Sequence, residues 1–528
     1  MPGWLKDAVF YEIYPQSFCD SNGYGIGDIQ GIIEKLDYIK ELGCNALWIN
    51  PWYDSPFKDA GYDVRDYCKV AARYGTNEDA ARLFKEAHSR GIRVLLDLVP
   101  GHTSEEHAWF RESGKAERNE FSDRYIWTDS WFTGMPGHIY IGGETPRNGV
   151  YMLNFFKSQP SLNYGFFQPK EPWQKAMDDP ACLATRQAMK DVMDFWLGMG
   201  CDGFRTDMSD SLVKDDDWHK TGTCAVWRDL LGAMREKYPE AAFVSEWSNP
   251  WQALESAGFD MDFYLEHWHN GYHTLLRDFD GRDLDTGRND KSYFRRCAGD
   301  ARDIQRFLDD YVKRYETALR ADANDPSGRK HYVSFITCNH DTPRATWTLS
   351  HDELKLAYAF IFTMPGVPFL YYGDEIGMRY LKDLPTKEGG YTRTGSRTPM
   401  QWDRTRKNFG FSEAAPELLY LPQDPSEDAP DAASQMKDPD SLLNTVKRIL
   451  ALRHEYEDLQ ADAPFEALLA GRGNPFVYRR GKMVIAVNPS ASEADCVIPE
   501  LEGKEIIFRI GEVSGNVHMG GGSFAVFG

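Results

Sequence analysis

Two patterns alternate along most of the chain. Short apolar runs rich in β-branched and aromatic residues are followed by stretches with apolar residues three and four apart. The run "AVFYEIYP" (8–15) comes first. Behind it, "IQGIIEKLDYIKELG" places Ile29, Ile32, Ile33, Leu36, Ile39 and Leu42 on one helical face, with Gly43 as its cap. "NALWINP" (45–51) precedes the helix "NEDAARLFKEAHSRG", and "IRVLLDLV" (92–99) is a third strand. "CDGFRTD" (201–207), "AAFVSEW" (241–247), "DMDFYL" (260–265), "YVSFITCNHD" (332–341) and "PFLYYGDE" (368–375) follow, with helical stretches between most of them. Eight strands in βα order predict an α/β chain folded as a (β/α)8 TIM barrel, although counting alone also admits an open sheet.

The alternation breaks at 103–172, which is rich in Gly, Pro, Trp and Tyr and predicts an inserted domain after strand three. The barrel would then comprise 1–102 and 173–459, with the helix "SLLNTVKRILALRHEYEDL" (441–459) closing it. Beyond, "NPFVYRRGKMVIAVNPS" and "GKEIIFRIGEV" alternate with period two around Gly-rich turns, predicting a C-terminal antiparallel, β-sandwich-like domain over 460–528.

Composition narrows the partners. A chain of 528 residues, 42% apolar, can bury more than one core. A net charge of −21 argues against nucleic acid and anionic membranes, and suits a neutral polar ligand. The 15 Trp, 27 Tyr and 30 Phe could stack on sugar faces, but a large core uses such residues too. Nine cysteines lie singly, without a C-x-x-C pair, as in a reducing compartment. The start "MPGWLKDAVFYEIYP" has no signal-peptide pattern, and no apolar run reaches the roughly 18 residues of a membrane span. A cytoplasmic monomer is expected.

The strand ends carry the chemistry. In a barrel of this kind the active site lies where the strands end. Asp97 and His102 end the third strand, Arg205 and Asp207 the fourth, Glu246 the fifth, and His340 and Asp341 the seventh. Each alone fits a solvated loop or a buried ion pair, but three carboxylates converging with an arginine and two histidines fit a site better.

In order, "LLDLVPGH", "GFRTD", "SEW" and "CNHD" resemble the four sequence regions of the α-amylase family, glycoside hydrolase family 13. The N-terminal stretch through "NPWYDSP" and the later "RTGSRTPMQWD" resemble its oligo-1,6-glucosidase and α-glucosidase branch. "QPSLNYG" is similar to that branch's "QPDLN", with Ser161 in place of Asp. The resemblance implies a retaining α-glucosidase that cleaves terminal glucose from short α-glucosides without a catalytic cofactor. Asp207 would be the nucleophile and Glu246 the acid/base, their carboxyls roughly 5–5.5 Å apart. Asp341 would bind the 2- and 3-hydroxyls and hold Glu246 protonated. Arg205 would keep Asp207 ionised, His102 and His340 would donate to sugar hydroxyls, and Tyr62 would stack on the terminal glucose. Asp59 and Arg397 would pair to wall off the non-reducing end, with Arg393 as the competitor. Asp97, deeper on its strand, reads as structural.

Several positions depart from the relatives. "DSNGYGIGD" (20–28) is an oxygen-ligand loop in them, but Tyr24 stands where a carboxylate is usual. Asp20, Asn22, the Ile26 carbonyl and Asp28 could hold a structural Ca²⁺ or Mg²⁺, or the acids could satisfy backbone amides of a Gly-rich turn. Gly101 replaces an Asn that holds calcium in amylases, so that site should be lost. Met208 follows the nucleophile at a position tied to linkage preference, and the long stretch 266–331 predicts a remodelled mouth.

Glucosyl transfer or isomerisation, as in trehalose synthase-like and sucrose isomerase-like relatives, remains an alternative on the same intermediate, as does endo-acting amylase activity. A metallohydrolase built on "HTSEEH" would need a closed ligand set, and a degraded sugar-binding barrel would have lost Asp207 or Glu246. On the family reading, Glu105, Glu106 and His107 form an exposed start to the inserted domain.

Overall fold

The computed structural model describes residues 2–130, 133–134, 136–267, 270–278, 292–296, 303–471, 473, 475–515 and 518–528. All eight expected strands form one parallel sheet: β1 (Phe10–Ile13), β2 (Ala46–Ile49), β3 (Arg93–Leu98), β4 (Gly203–Thr206), β5 (Ala242–Ser245), β6 (Met261–Tyr264), β7 (Tyr332–Phe335) and β8 (Phe369–Tyr371). Neighbours in the sheet are neighbours in sequence, with β1 beside β8, and a parallel bridge from Ile336 to Phe369 closes the ring. The open-sheet alternative is thereby removed. The helix Leu442–Glu455 packs between Leu36–Leu42, which follows β1, and His351–Thr363, which follows β7, and so completes the outer layer.

The barrel interior changes character along its axis. Phe10 stacks on Phe369 at 4.3 Å, and Phe263 packs edge-on to Phe369 and against Trp48. Two residues past Phe10 the same face of β1 carries Glu12, and on β3 Asp97 stands in register with Arg205 of β4. An aromatic layer therefore supports a charged one at the strands' C-terminal ends.

The first predicted helix is two helices, Ile29–Glu34 and Leu36–Leu42, separated at Lys35 (φ −104°, ψ 1°). A Cβ on Gly31 would lie 2.0 Å from the Cys19 carbonyl oxygen, so the first piece is pinned against the preceding loop. Gly43 ends the second in the left-handed region, as predicted. A capping box of Thr76 and Asp79 starts the helix Asn77–Ser89.

After β3 the chain forms a small antiparallel sheet from Trp127–Thr128, Tyr140–Gly142 and Val150–Met152. Beyond the last barrel helix, Phe465–Leu469, Phe476–Arg480, Met483–Asn488, Ser523–Phe527 and Ile506–Ile510 pair in that spatial order as a five-stranded antiparallel sheet. The residues behind the remodelled-mouth expectation lie partly outside the described residues, at 268–269, 279–291 and 297–302. No helix among the described residues is long and apolar enough to cross a membrane.

Candidate active site

An open cavity of about 310 Å³ sits at the C-terminal ends of the barrel strands. Asp59, Tyr62, His102, Asp207, Glu246 and Asp341 line it. These six come from the ends of five different strands or the loops after them, which is how a barrel assembles a site from residues distant in sequence.

Arg205 organises the carboxylates. It is wholly buried, and its Nη1 donates to Asp97 Oδ1 (2.8 Å) and to Asp207 Oδ1 (3.0 Å). Its Nη2 lies 2.7 Å from Glu246 Oε1. The other Glu246 oxygen accepts from the Met208 backbone N–H at 2.9 Å. Met208 reaches that angle with φ at +42°, a left-handed backbone that a methionine seldom adopts. Burial and the Glu246 charge push the Asp207 carboxyl up, and burial and the Asp341 charge push Glu246 up, in both cases against the pull of Arg205; the two acids share that guanidinium and titrate as a pair.

Asp341 behaves differently. Burial would raise it, but His340, Arg393 and Arg397 hold it well below the usual carboxylate range. His340 Nε2 lies 3.2 Å from Asp341 Oδ2, while Arg393 Nη1 and Arg397 Nη2 each donate to Oδ1 at 2.8 Å. Asp341 therefore stays ionised and adds a raising field to Glu246.

The model of the α-amylase catalytic domain matches residues 12–462. The chain belongs to the α-amylase family. Oligo-1,6-glucosidase of Heyndrickxia coagulans is 32% identical over 545 residues, covering 93% of this chain and 93% of that protein. Trehalose synthase/amylase TreS of Mycolicibacterium smegmatis is 34% identical over 504 residues, covering 90% of this chain and 79% of that protein. An isomaltulose synthase variant from Erwinia rhapontici NX5, solved in complex with sucrose, is similar with a TM-score of 0.79 at 25% identity, covering 100% of this chain and 99% of that one.

Within this family member, three sequence expectations need correction. Asp59 does not pair with Arg397. Its ion-pair partner is Arg393, at 3.8 Å, and its Oδ2 accepts from Gln159 at 2.6 Å. Arg397 is drawn instead to Asp341 and to the His340 carbonyl (2.8 Å). Neither histidine shows a free sugar-facing donor. His102 Nε2 donates to the Tyr62 carbonyl (3.1 Å) and Nδ1 accepts from Asn154 Nδ2 (2.9 Å), while burial lowers its pKa to about 4. His340 is fully enclosed, with Glu12 on one nitrogen and Asp341 and Tyr62 on the other.

The third correction concerns His107, which is buried, not exposed. Its Nδ1 accepts from the Trp109 backbone N–H at 3.0 Å and caps the helix Ala108–Ser113, a role open only to the neutral ring. Burial and the Arg124 charge lower its pKa to about 3, in keeping with that role. Glu105 and Glu106 pair with Lys58. Asp97 is structural as expected, receiving Arg205, Trp48 Nε1 (3.1 Å) and the Tyr62 hydroxyl (3.0 Å).

The 20–28 loop is arranged as a turn. Asp20 accepts from the backbone N–H groups of Asn22, Gly23 and Gly25, and Asp28 from those of Ser21 and Gly31. Asn22 points its amide nitrogen at Asp28 (3.0 Å) and its carbonyl oxygen at the Tyr24 N–H (3.1 Å). With the Asn22 amide turned over, its oxygen would face the same side as Asp28 and the Ile26 carbonyl, the arrangement a cation requires; as folded, the loop is satisfied by backbone N–H groups. Among the described residues no cluster of three His, Cys, Asp or Glu side chains is set for a metal ion.

Sequence reading passed over Glu12, Gln159, Asn154, Phe155, Trp247, Leu265 and His267 as site residues. Gln159 opens the quoted "QPSLN" motif, and Glu12 is the one charge in an apolar strand; both were visible signals. Phe155, Leu265 and His267 line the cavity from loops that carry no pattern.

Proposed function

We propose that this protein is a retaining enzyme acting on the terminal glucose of short α-glucosides through a covalent glucosyl-enzyme. The observation that carries the reading is one buried guanidinium gripping both Asp207 and Glu246 at the mouth of the cavity, with Asp341 ionised among His340, Arg393 and Arg397. Asp207 attacks the anomeric carbon while Glu246 protonates the departing glycosidic oxygen. Glu246 then takes a proton from the incoming water or sugar hydroxyl, which displaces Asp207 with net retention. As folded, Glu246 Oε1 lies in ion-pair contact with Arg205 and Oε2 accepts from the Met208 N–H, which suits the ionised form of the second step. To act as an acid it must turn one oxygen away from Arg205. Asp341 binds the sugar hydroxyls, and Tyr62 offers a ring to the sugar face. The chain of ion pairs from Asp59 through Arg393 to Asp341 closes one side of the cavity, which favours attack at a chain end. No cofactor enters the chemistry.

A second reading is glucosyl transfer or isomerisation. Similarity to both an oligo-1,6-glucosidase and a trehalose synthase supports it, because water and a sugar hydroxyl compete for the same intermediate. Incubation with maltose, isomaltose, sucrose, trehalose and starch, followed by chromatography, separates the readings. Glucose from disaccharides but not from starch supports the hydrolase. Conversion of one disaccharide into another supports the isomerase. Rapid internal cleavage of starch would sink the terminal-glucose assignment.

A further inference from the structure

Glu12 is a wholly buried carboxylate on β1 with no part in the chemistry above. Its Oε1 lies 3.0 Å from His340 Nδ1, and its Oε2 has no protein partner. A buried carboxylate with an unmatched oxygen is costly, and an apolar residue would fill the same space at lower cost. Its placement therefore asks for a role.

The hydrogen bonds around His340 define that role. Asp97 is an acceptor, so the single proton of the Tyr62 hydroxyl goes to Asp97 Oδ2 (3.0 Å). The Tyr62 oxygen, 2.8 Å from His340 Nε2, is then an acceptor, as is the Asp341 carboxylate 3.2 Å from the same nitrogen, so Nε2 carries hydrogen. On the other side of the ring two groups approach Nδ1, Glu12 Oε1 at 3.0 Å and the Asn50 amide nitrogen at 3.1 Å; the amide can spend its hydrogens on Glu12 and the Tyr62 hydroxyl, which leaves the Nδ1 hydrogen for Glu12. A histidine with hydrogen on both nitrogens is an imidazolium. We propose that Glu12 is a positioning residue: it holds His340 doubly protonated, and the imidazolium in turn fixes the Asp341 carboxylate in the site. The proposal deepens the α-glucoside reading and rests on it only for the kinetic consequence.

The surroundings support this proton placement. Facing His340 are Glu12 on β1, Trp48 on β2, and Asn50 and Tyr62 beyond it. Asp341 neighbours it in the chain, and Arg397 donates to its carbonyl. The Tyr14 and Tyr62 rings lie nearly parallel to the imidazole, at 6.1 and 5.3 Å. Asp97 and Arg205 stand one contact further out, through Tyr62 and the Glu12 field. Burial works against a charged ring, but Asp341 and then Glu12 outweigh it and raise His340 to about 9. Burial pushes Glu12 itself up to about 7, against His340 and Arg205.

The test is nuclear magnetic resonance of the full-length protein labelled with ¹³C-histidine, with the His340 signal assigned by its loss in His340→Asn. At pH 7.5 the wild-type His340 should show the imidazolium shift, and in Glu12→Gln it should show the neutral shift. A neutral His340 in the wild type overturns the proposal outright, even if no variant folds. An imidazolium that persists in folded Glu12→Gln overturns it equally. In kinetics, Glu12→Gln should move the alkaline limb of kcat down by about 1–3 pH units, the shift expected for losing one adjacent opposite charge. Glu12→Asp should restore part of that limb, which a merely space-filling role would not do. If no α-glucoside is turned over, the functional reading fails while the resonance experiment still decides the role of Glu12.

Discussion

Arg205 and the pair Arg453 and Arg480 are equally buried, at opposite ends of the barrel, and their partners could hardly differ more. Arg205 meets the carboxylates of Asp97, Asp207 and Glu246. Arg453 meets only carbonyls, donating to Phe362 (2.9 Å), Met364 (3.1 Å) and Gly366 (2.6 Å). Arg480, on the first hairpin of the C-terminal sheet, donates to Thr363 and Gln460 carbonyls. Phe362 and Thr363 end the helix His351–Thr363 and Met364 caps it, where the helix dipole favours a cation. Burial lowers Arg453 to about 9 and Arg480 to about 10, whereas the acid cluster drives Arg205 well above its ordinary value in spite of burial. Carbonyl-held arginines join parts of the fold. The carboxylate-held one keeps a surplus of negative charge in register for chemistry.

The sharpest way to break this contrast is at the carboxylates. Asp207→Asn should lower kcat by on the order of 10⁴. Its melting temperature should hold or rise, because one of the crowded acids is gone. Turnover of an aryl α-glucoside and calorimetry read the two quantities separately. Near wild-type turnover would mean that Asp207 is not the nucleophile.

Arg480→Met should show the reverse. It leaves buried carbonyls without donors at about 1–3 kcal/mol each, so denaturant unfolding should report a loss of about 3 kcal/mol or more. Specific activity of the folded fraction should match wild type. Lost activity in fully folded protein would show that the two ends of the barrel are coupled and that Arg480 is more than a structural tie.

The difference between the two ends also explains what could be read from sequence. The barrel strands are apolar runs with local periodicity, and the acids sit where those runs stop, so Asp207, Glu246 and Asp341 announced themselves. Which arginine meets Asp59 did not. Arg393 and Arg397 lie four residues apart on one loop, and the choice depends on Asp341 and the His340 carbonyl drawing Arg397 inward. His107 looked like part of an exposed acidic run because burial by Tyr67 and Trp109 is a long-range fact for one of them and a fold-dependent fact for both. The turn at 20–28 is ambiguous for a physical reason: the same Asp and Asn oxygens satisfy either a cation or backbone N–H groups, and only the side-chain rotation separates the two.

A gentler probe of the charged end uses pH. His340 is raised in the folded state, so its contribution is fully present below the unfolded value near 6.5. It is lost as pH rises through about 9. The stability difference between wild type and His340→Asn should therefore shrink between pH 6.5 and 9.5, by about 3 kcal/mol at most. Urea unfolding at several pH values measures it. A difference that stays flat across the window would mean that His340 is neutral in the fold.

The smallest expected effect lies at Gly101. A Cβ there would come 3.1 Å from Asn154 Nδ2, the group that donates to His102. Gly101 therefore does more than lack a ligand atom: its bareness leaves room for a neighbour that fixes the His102 ring. Gly101→Asn should push Asn154 aside and loosen the His102 ring, which forms part of the cavity wall and loses one neutral hydrogen bond worth about 0.5–1.5 kcal/mol; a less rigid wall should give roughly a two- to tenfold rise in KM with kcat little changed. Asn154→Ala should produce a rise of similar size, and the double variant should add little to either, because both act through one contact. Fully additive effects would show that Gly101 and Asn154 act on the site independently, and the room left by the missing side chain would then have no bearing on His102.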